Sequence, residues 1–217
     1  MTETNAKTGL PQIDQETKDM KLKKAQFGAT VAPIVTTLIG YGIAYLVYQQ
    51  GDTEKFDRNL RTVKDLELHW YYAAMVVFNI TIQWMNQYPM RYKEQVMKGG
   101  NLRANMFIYR LATEDPAESS AVVLQEDGDV GRYNRANRST YHFLENCMGF
   151  VASLPIVFFT FVKPCIVIVA VYCFGRLLHQ VGYTIGGYGG HAIGFVFALL
   201  AQLTVIGLLI LSCTKTF

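Results

Sequence analysis

Long apolar runs separated by charged connections constrain this chain more than any other feature. Five runs of bilayer-spanning length fall at roughly 27–49, 68–90, 140–162, 165–184 and 191–213. About 20 apolar residues suffice to cross the hydrocarbon of a bilayer as a helix. Inside lipid every backbone N–H and C=O must be satisfied within the protein, which leaves helices or closed barrels. A barrel needs short segments of strict alternation, and the sequence shows none. The expected fold is therefore all-α: an integral, multi-pass membrane helix bundle whose first partner is the lipid bilayer.

The remaining features exclude several classes. Residues 1–26 mix Glu3, Asp14, Glu16 and Asp19 with lysines and lack an early apolar core, so neither a signal peptide nor a cleavable mitochondrial presequence is expected. The net charge of +3 is small, and no basic motif with interleaved aromatics is present, so nucleic-acid binding is not expected. Cys147, Cys165, Cys173 and Cys213 all fall in predicted spans without a C-x-x-C pair, the pattern of inert buried thiols. The four histidines, His69, His142, His179 and His191, show no metal-ligand spacing, and no metal is expected. No inverted repeat or pair of broken helices suggests a transporter.

Lys and Arg in the connections set the orientation. Five precede the first run and eight lie in 91–138, whereas six occupy the opposite side. The positive-inside rule then places the N-terminus, the long connection 91–137 and the glycine-rich turn 186–190 on the cytoplasmic or equivalent side. Within the second run Tyr72, Asn79, Gln83 and Asn86 share one helical face, and unpaired amides in lipid predict that this face looks into the bundle. Gly40 with Ala44, and Gly194 with Ala198, have the small-residue spacing that allows close helix approach. The long connection holds Gly99-Gly100, an acidic patch at Glu114-Asp115-Pro116 and a turn-like run from Glu126 to Asp129.

The third run opens with charge. Arg138, His142 and Glu145 are spaced by four and three and fall on one face of a helix. Ionisable groups entering a bilayer mark a functional site by default, although intramembrane charges also pair with one another. The fourth run ends in Gly175-Arg176-Leu177-Leu178-His179-Gln180-Val181-Gly182-Tyr183, and the two charged regions enter the membrane from the same side. They have the makings of one pocket.

These two stretches resemble the MAPEG superfamily, the membrane-associated proteins of eicosanoid and glutathione metabolism, and within it the expected likeness is to the type 3 microsomal glutathione transferases. The family shows R-A-x-x-N-x-x-E early in its second helix, matched here by Arg138, His142 and Glu145 followed by Asn146 and Phe150. A second register, starting at Arg135-Ala136, puts Ser139 and His142 at the Asn and Glu positions. Its third helix carries G-R-x-x-Y-x-x-G-Y, matched at every fixed position except His179. The resemblance covers about residues 68–217 and implies a four-helix core there; outside that plan the apolar pattern adds an N-terminal transmembrane helix with a surface loop in 27–67, preceded by a polar segment in 1–26.

The resemblance implies glutathione as co-substrate, conjugated to or oxidised by a lipophilic partner in a transferase or peroxidase reaction. Arg138 and Arg176 would hold its carboxylates, Glu145 its amino group, and Tyr183 would line the pocket with His142 and His179. No residue is assigned as catalytic. The position of the thiolate-stabilising arginine, seven beyond Tyr183, is Gly190, and no Lys or Arg lies between Arg176 and Lys215. His191 is next door and would substitute only if protonated. The alternative is a non-catalytic structural subunit of a larger membrane complex. The family also implies a homotrimer and the endoplasmic reticulum, while a mitochondrial membrane suits uncleaved spans equally.

Overall fold

A computed structural model describes residues 12–96, 107–112 and 121–217. Gly99-Gly100 and the Glu114-Asp115-Pro116 patch lie outside the described residues. The chain forms α1 (Gln15–Gln50), α2 (Thr53–Asp65), α3 (His69–Gln87), α4 (Met90–Val96), a hairpin of β1 (Tyr109–Leu111) and β2 (Val122–Leu124), then α5 (Gly128–Thr160), α6 (Val162–Gly186) and α7 (Ala192–Thr216). The result is an all-α membrane helix bundle with one short antiparallel hairpin, Tyr109 opposite Leu124, beside it.

Local chemistry starts these helices. Asp14 accepts from the Thr17 backbone N–H at 2.8 Å, and Asp52 from that of Lys55 at 3.0 Å, each satisfying an orphan donor of a first turn. Gly128 takes φ +62 where the chain turns into α5, so the turn-like run Glu126–Asp129 is the start of a helix. Lys18 pairs with Asp129 at 2.8 Å, which puts the beginnings of α1 and α5 on one side, as the charge count requires. At the opposite end Lys163 pairs with Glu67 at 2.7 Å.

Among the described residues, α1, α5, α6 and α7 are long and apolar enough to cross a membrane. The run expected at 68–90 forms α3 but is not one of these four. His69, Asn79, Gln83, Asn86 and Gln87 dilute its 19 residues with polar groups. Its amide stripe also departs from expectation. Ala74, Phe78, Thr81 and Met85 face the bundle, whereas Tyr72, Asn79, Gln83 and Asn86 are exposed on the chain's outer surface. The periodicity fixes which residues share a face but not the direction in which that face looks. Asn79 meets part of its need within its own helix, donating to the Met75 carbonyl at 2.7 Å.

α5 is longer than the apolar run that announces it, because its first twelve residues, 128–139, are helical before the expected span. Tyr133 and Ala136 pack with Tyr88, Tyr92 and Val96, and fully buried Asn134 clamps the hairpin. The Asn134 side chain accepts from Ile108 N–H at 3.0 Å and donates to the carbonyls of Ile108 and Gln125, both at 2.7 Å.

The core gathers around α6, which touches α3, α5 and α7. Phe78, Phe143, Phe150 and Tyr172 form an aromatic knot within it, with Phe150 and Tyr172 stacked at 4.0 Å. Lipid tails are as apolar as these side chains, so close packing rather than release of water stabilises the contact.

Glycines set the α6–α7 distance. A Cβ at Gly175 would lie 2.6 Å from the Ala198 backbone N, and one at Gly194 would collide with the His179 backbone. Nothing lies within 4 Å of the Cβ position at Gly40, so the first small pair brings no described helix close. Gly194→Leu should therefore cost about 1–3 kcal/mol through forced separation of α6 and α7. Gly40→Leu should stay within about 0.5 kcal/mol, both read as thermal unfolding in detergent.

Candidate functional site

The site is built on an antiparallel seam between the first half of α5 and the second half of α6. Arg176, Gln180 and Thr184 recur every four residues on one face of α6 and are all buried. Gln180 Nε2 donates to the Ala136 carbonyl at 2.8 Å, and the Thr140 hydroxyl donates to Gln180 Oε1 at 3.4 Å. Arg176 donates one Nη to the Ser139 carbonyl and the other to His142 Nδ1, each at 3.2 Å. Its guanidinium also sits over the Phe143 ring, 5.3 Å from the centroid.

Three consequences follow for the ionisable groups. Arg176 is 2% exposed, its Nε has no partner, and it makes no ion pair among the described residues. Because Arg176 donates to His142 Nδ1, that nitrogen is an acceptor and neutral His142 carries its proton on Nε2. Ser139 Oγ lies 2.8 Å from His179 Nδ1, and the His179 ring stacks on His142 at 5.2 Å and 7°.

A cavity of about 190 Å³ opens at this seam, lined by Arg138, Ser139, His142, His179, Tyr183, Tyr188, His191 and Phe195. A second, of about 200 Å³, lies beside it, and His142 and Phe195 belong to the walls of both. Arg176 borders the second, along with apolar Leu199, Leu203 and Ile206. Each alone is smaller than the roughly 300–1,000 Å³ typical of small-molecule sites, and the two together enter that range.

Of the six residues singled out from sequence, Arg138, His142, His179 and Tyr183 line the first cavity, and His142 and Arg176 line the second. Glu145 lines neither; it pairs with Arg138 at 3.2 Å, and both side chains are about half exposed, at 52% and 49%. An ion pair that open contributes at most about 1 kcal/mol, so it leaves both groups free to exchange partners. Arg135 faces elsewhere, donating to the carbonyls of Thr184 and Glu126, which leaves Arg138 as the arginine of α5 at the cavity.

Sequence reasoning reached Ser139 only through the second register and passed over Gln180, Tyr188 and Phe195. Gln180 was findable, since it lies four residues beyond Arg176 in the same motif. Tyr188 and Phe195 belong to a turn and to the next helix, where spacing along α6 gives no signal. No group of three or more His, Cys, Asp or Glu among the described residues is disposed to hold a metal ion.

Gly190 is closed to any side chain. A Cβ there would collide with the Gly182 carbonyl and lie 3.0 Å from the Gly186 Cα. The next residue, His191, points into the cavity instead, its ring 5.1 Å from His179 and 5.3 Å from Tyr183.

A family model, that of the MAPEG family, matches residues 69–211. The chain belongs to the MAPEG family. The match runs from the start of α3 into α7 and includes both charged stretches, while α1 and α2 lie outside it. It is a match to the family as a whole and singles out no branch of it. No curated protein and no solved structure matches the chain. Membership makes this an integral membrane protein of the family associated with glutathione and eicosanoid metabolism.

The seam itself is testable. Gln180→Leu removes the bond to Ala136 and should cost about 1–2 kcal/mol in detergent, the worth of a buried hydrogen bond and the stranded group it leaves. Tm should fall without loss of helicity by circular dichroism.

Proposed function

We propose that this MAPEG-family protein binds glutathione in the cavity between α5, α6 and α7 and presents its thiol to a lipophilic co-substrate, as a transferase or peroxidase. One observation carries this reading. Arg176 is a buried guanidinium with an unpartnered Nε and no carboxylate partner among the described residues. A charge held that way is costly unless something anionic completes it. Glutathione brings two carboxylates and one ammonium. Arg138 and Arg176 suit the carboxylates, since a guanidinium binds them in a two-pronged geometry, and Glu145 at the rim suits the ammonium. Tyr183, His142 and His179 shape the walls, and the apolar side of the second cavity suits a lipophilic substrate arriving from the bilayer.

A second reading has its own support. With Gly190 closed to a side chain, the expected thiolate-stabilising arginine has no place, and the outward amides of α3 need cover in a membrane. Both fit a subunit of a homotrimer or of a larger membrane complex, in the endoplasmic reticulum or the mitochondrion, whose cavity binds without catalysing.

Calorimetry in detergent separates binding from its absence. The wild type should bind glutathione saturably at millimolar concentration or below. Arg176→Leu should weaken binding roughly 10- to 100-fold, the worth of a charged hydrogen-bonded contact. Arg138→Ala and Glu145→Ala should each weaken it by about tenfold. No heat of binding to the wild type at millimolar glutathione would sink the proposal.

A further inference from the structure

The cavity holds three imidazoles, and only one of them is uncommitted. His142 Nδ1 is taken by the Arg176 guanidinium, so neutral His142 offers the cavity a donor rather than a lone pair. His179 is only 4% exposed, and its Nδ1 is taken by Ser139. His191 makes no side-chain hydrogen bond among the described residues; its Nδ1 is buried without a partner, leaving Nε2 as the nitrogen within reach of a ligand.

The backbone explains why His191 stands there. α6 and the turn after it touch main chain to main chain at Gly182 and Gly190, and Gly187 and Gly189 take φ +67 and +95 to bring this about. The first residue beyond the contact able to carry a side chain is His191, at the N-cap position of α7. Its ring is fenced by Tyr183 at 5.3 Å, Tyr188 at 5.8 Å and Phe195 at 6.4 Å, which fix its direction.

We infer that His191 is the base that takes the thiol proton of glutathione in this cavity; this deepens, and rests on, the glutathione reading above. In the step the S–H bond breaks and an N–H bond forms at His191 Nε2. The electron pair stays on sulfur, and the product is a thiolate beside an imidazolium. The thiolate, not the thiol, is the nucleophile, and a neighbouring imidazolium favours it.

The charged and titratable groups facing His191 are Arg138 and His142 from α5, His179 and Tyr183 from α6, and Tyr188 from the turn, with Arg176 behind the His142 ring and Glu145 at the rim. The two guanidiniums favour the thiolate that the transfer forms. The proton transfer is thereby coupled to the presence of the thiol.

The test follows the ultraviolet absorbance of the thiolate across pH with saturating glutathione, on the full-length protein in detergent. His191→Gln and His191→Ala are the variants, and calorimetric binding of S-methylglutathione, which has no thiol proton, reports whether the site is intact. The wild type should show the thiolate band at neutral pH. Both variants should bind S-methylglutathione within about threefold of wild type, yet form at least about tenfold less thiolate at that pH, equivalent to one pKa unit. An unchanged thiolate band in the variants overturns the role of His191. A wild type that binds glutathione without the band overturns it too, and leaves the binding proposal standing. A wild type that binds neither ligand overturns both.

Discussion

A guanidinium buried inside a membrane bundle with no carboxylate partner among the described residues is the constraint on which the rest of this structure depends. Arg176 is held by the Ser139 carbonyl, by His142 Nδ1 and by the face of Phe143, and each contact draws α5 against α6. Those partners distribute the charge without neutralising it, since carbonyl, imidazole and ring contribute dipoles and a quadrupole rather than a formal negative charge. Gln180 and Thr184, further along the same face, extend the polar seam, and the aromatic knot around Tyr172 closes it on the other side. The cavity opens where this seam meets α7. Its polar and apolar walls are therefore consequences of how a single charge is accommodated.

The second constraint is distance between backbones. Gly175 and Gly194 let α6 and α7 cross in contact, and Gly182 and Gly190 repeat the arrangement at the end of α6. Together they fix how far His179, Tyr183 and His191 stand from one another. The same closeness excludes a side chain at 190. One geometric fact thus removes the residue that the family pattern leads one to seek and places an imidazole beside the vacancy.

Much of this was legible in the sequence, for identifiable reasons. Apolar length announces α1, α5, α6 and α7, because spanning hydrocarbon is a one-dimensional requirement. The spacing of Arg138, His142, Arg176, His179 and Tyr183 announces a shared region, because each set lies on one helical face and both sets enter from one side. What stayed hidden depends on neighbours. The amides of α3 share a face, but only its packing through Ala74, Phe78 and Met85 turns that face outward. The first turns of α5 follow a polar sequence and are ordered by Asn134 and by burial against α4, which no periodicity shows. Glu145 sits on the predicted face yet at the rim, since helical spacing gives an angle and not a depth.

The most direct measurement is a cryo-electron microscopy map of the protein taken from its native membrane with glutathione present. The account predicts density for the tripeptide in the cavity between α5, α6 and α7, with a carboxylate against Arg176 and the sulfur toward His191. An empty cavity in which Arg176 is met by an acidic side chain of a neighbouring subunit would contradict it.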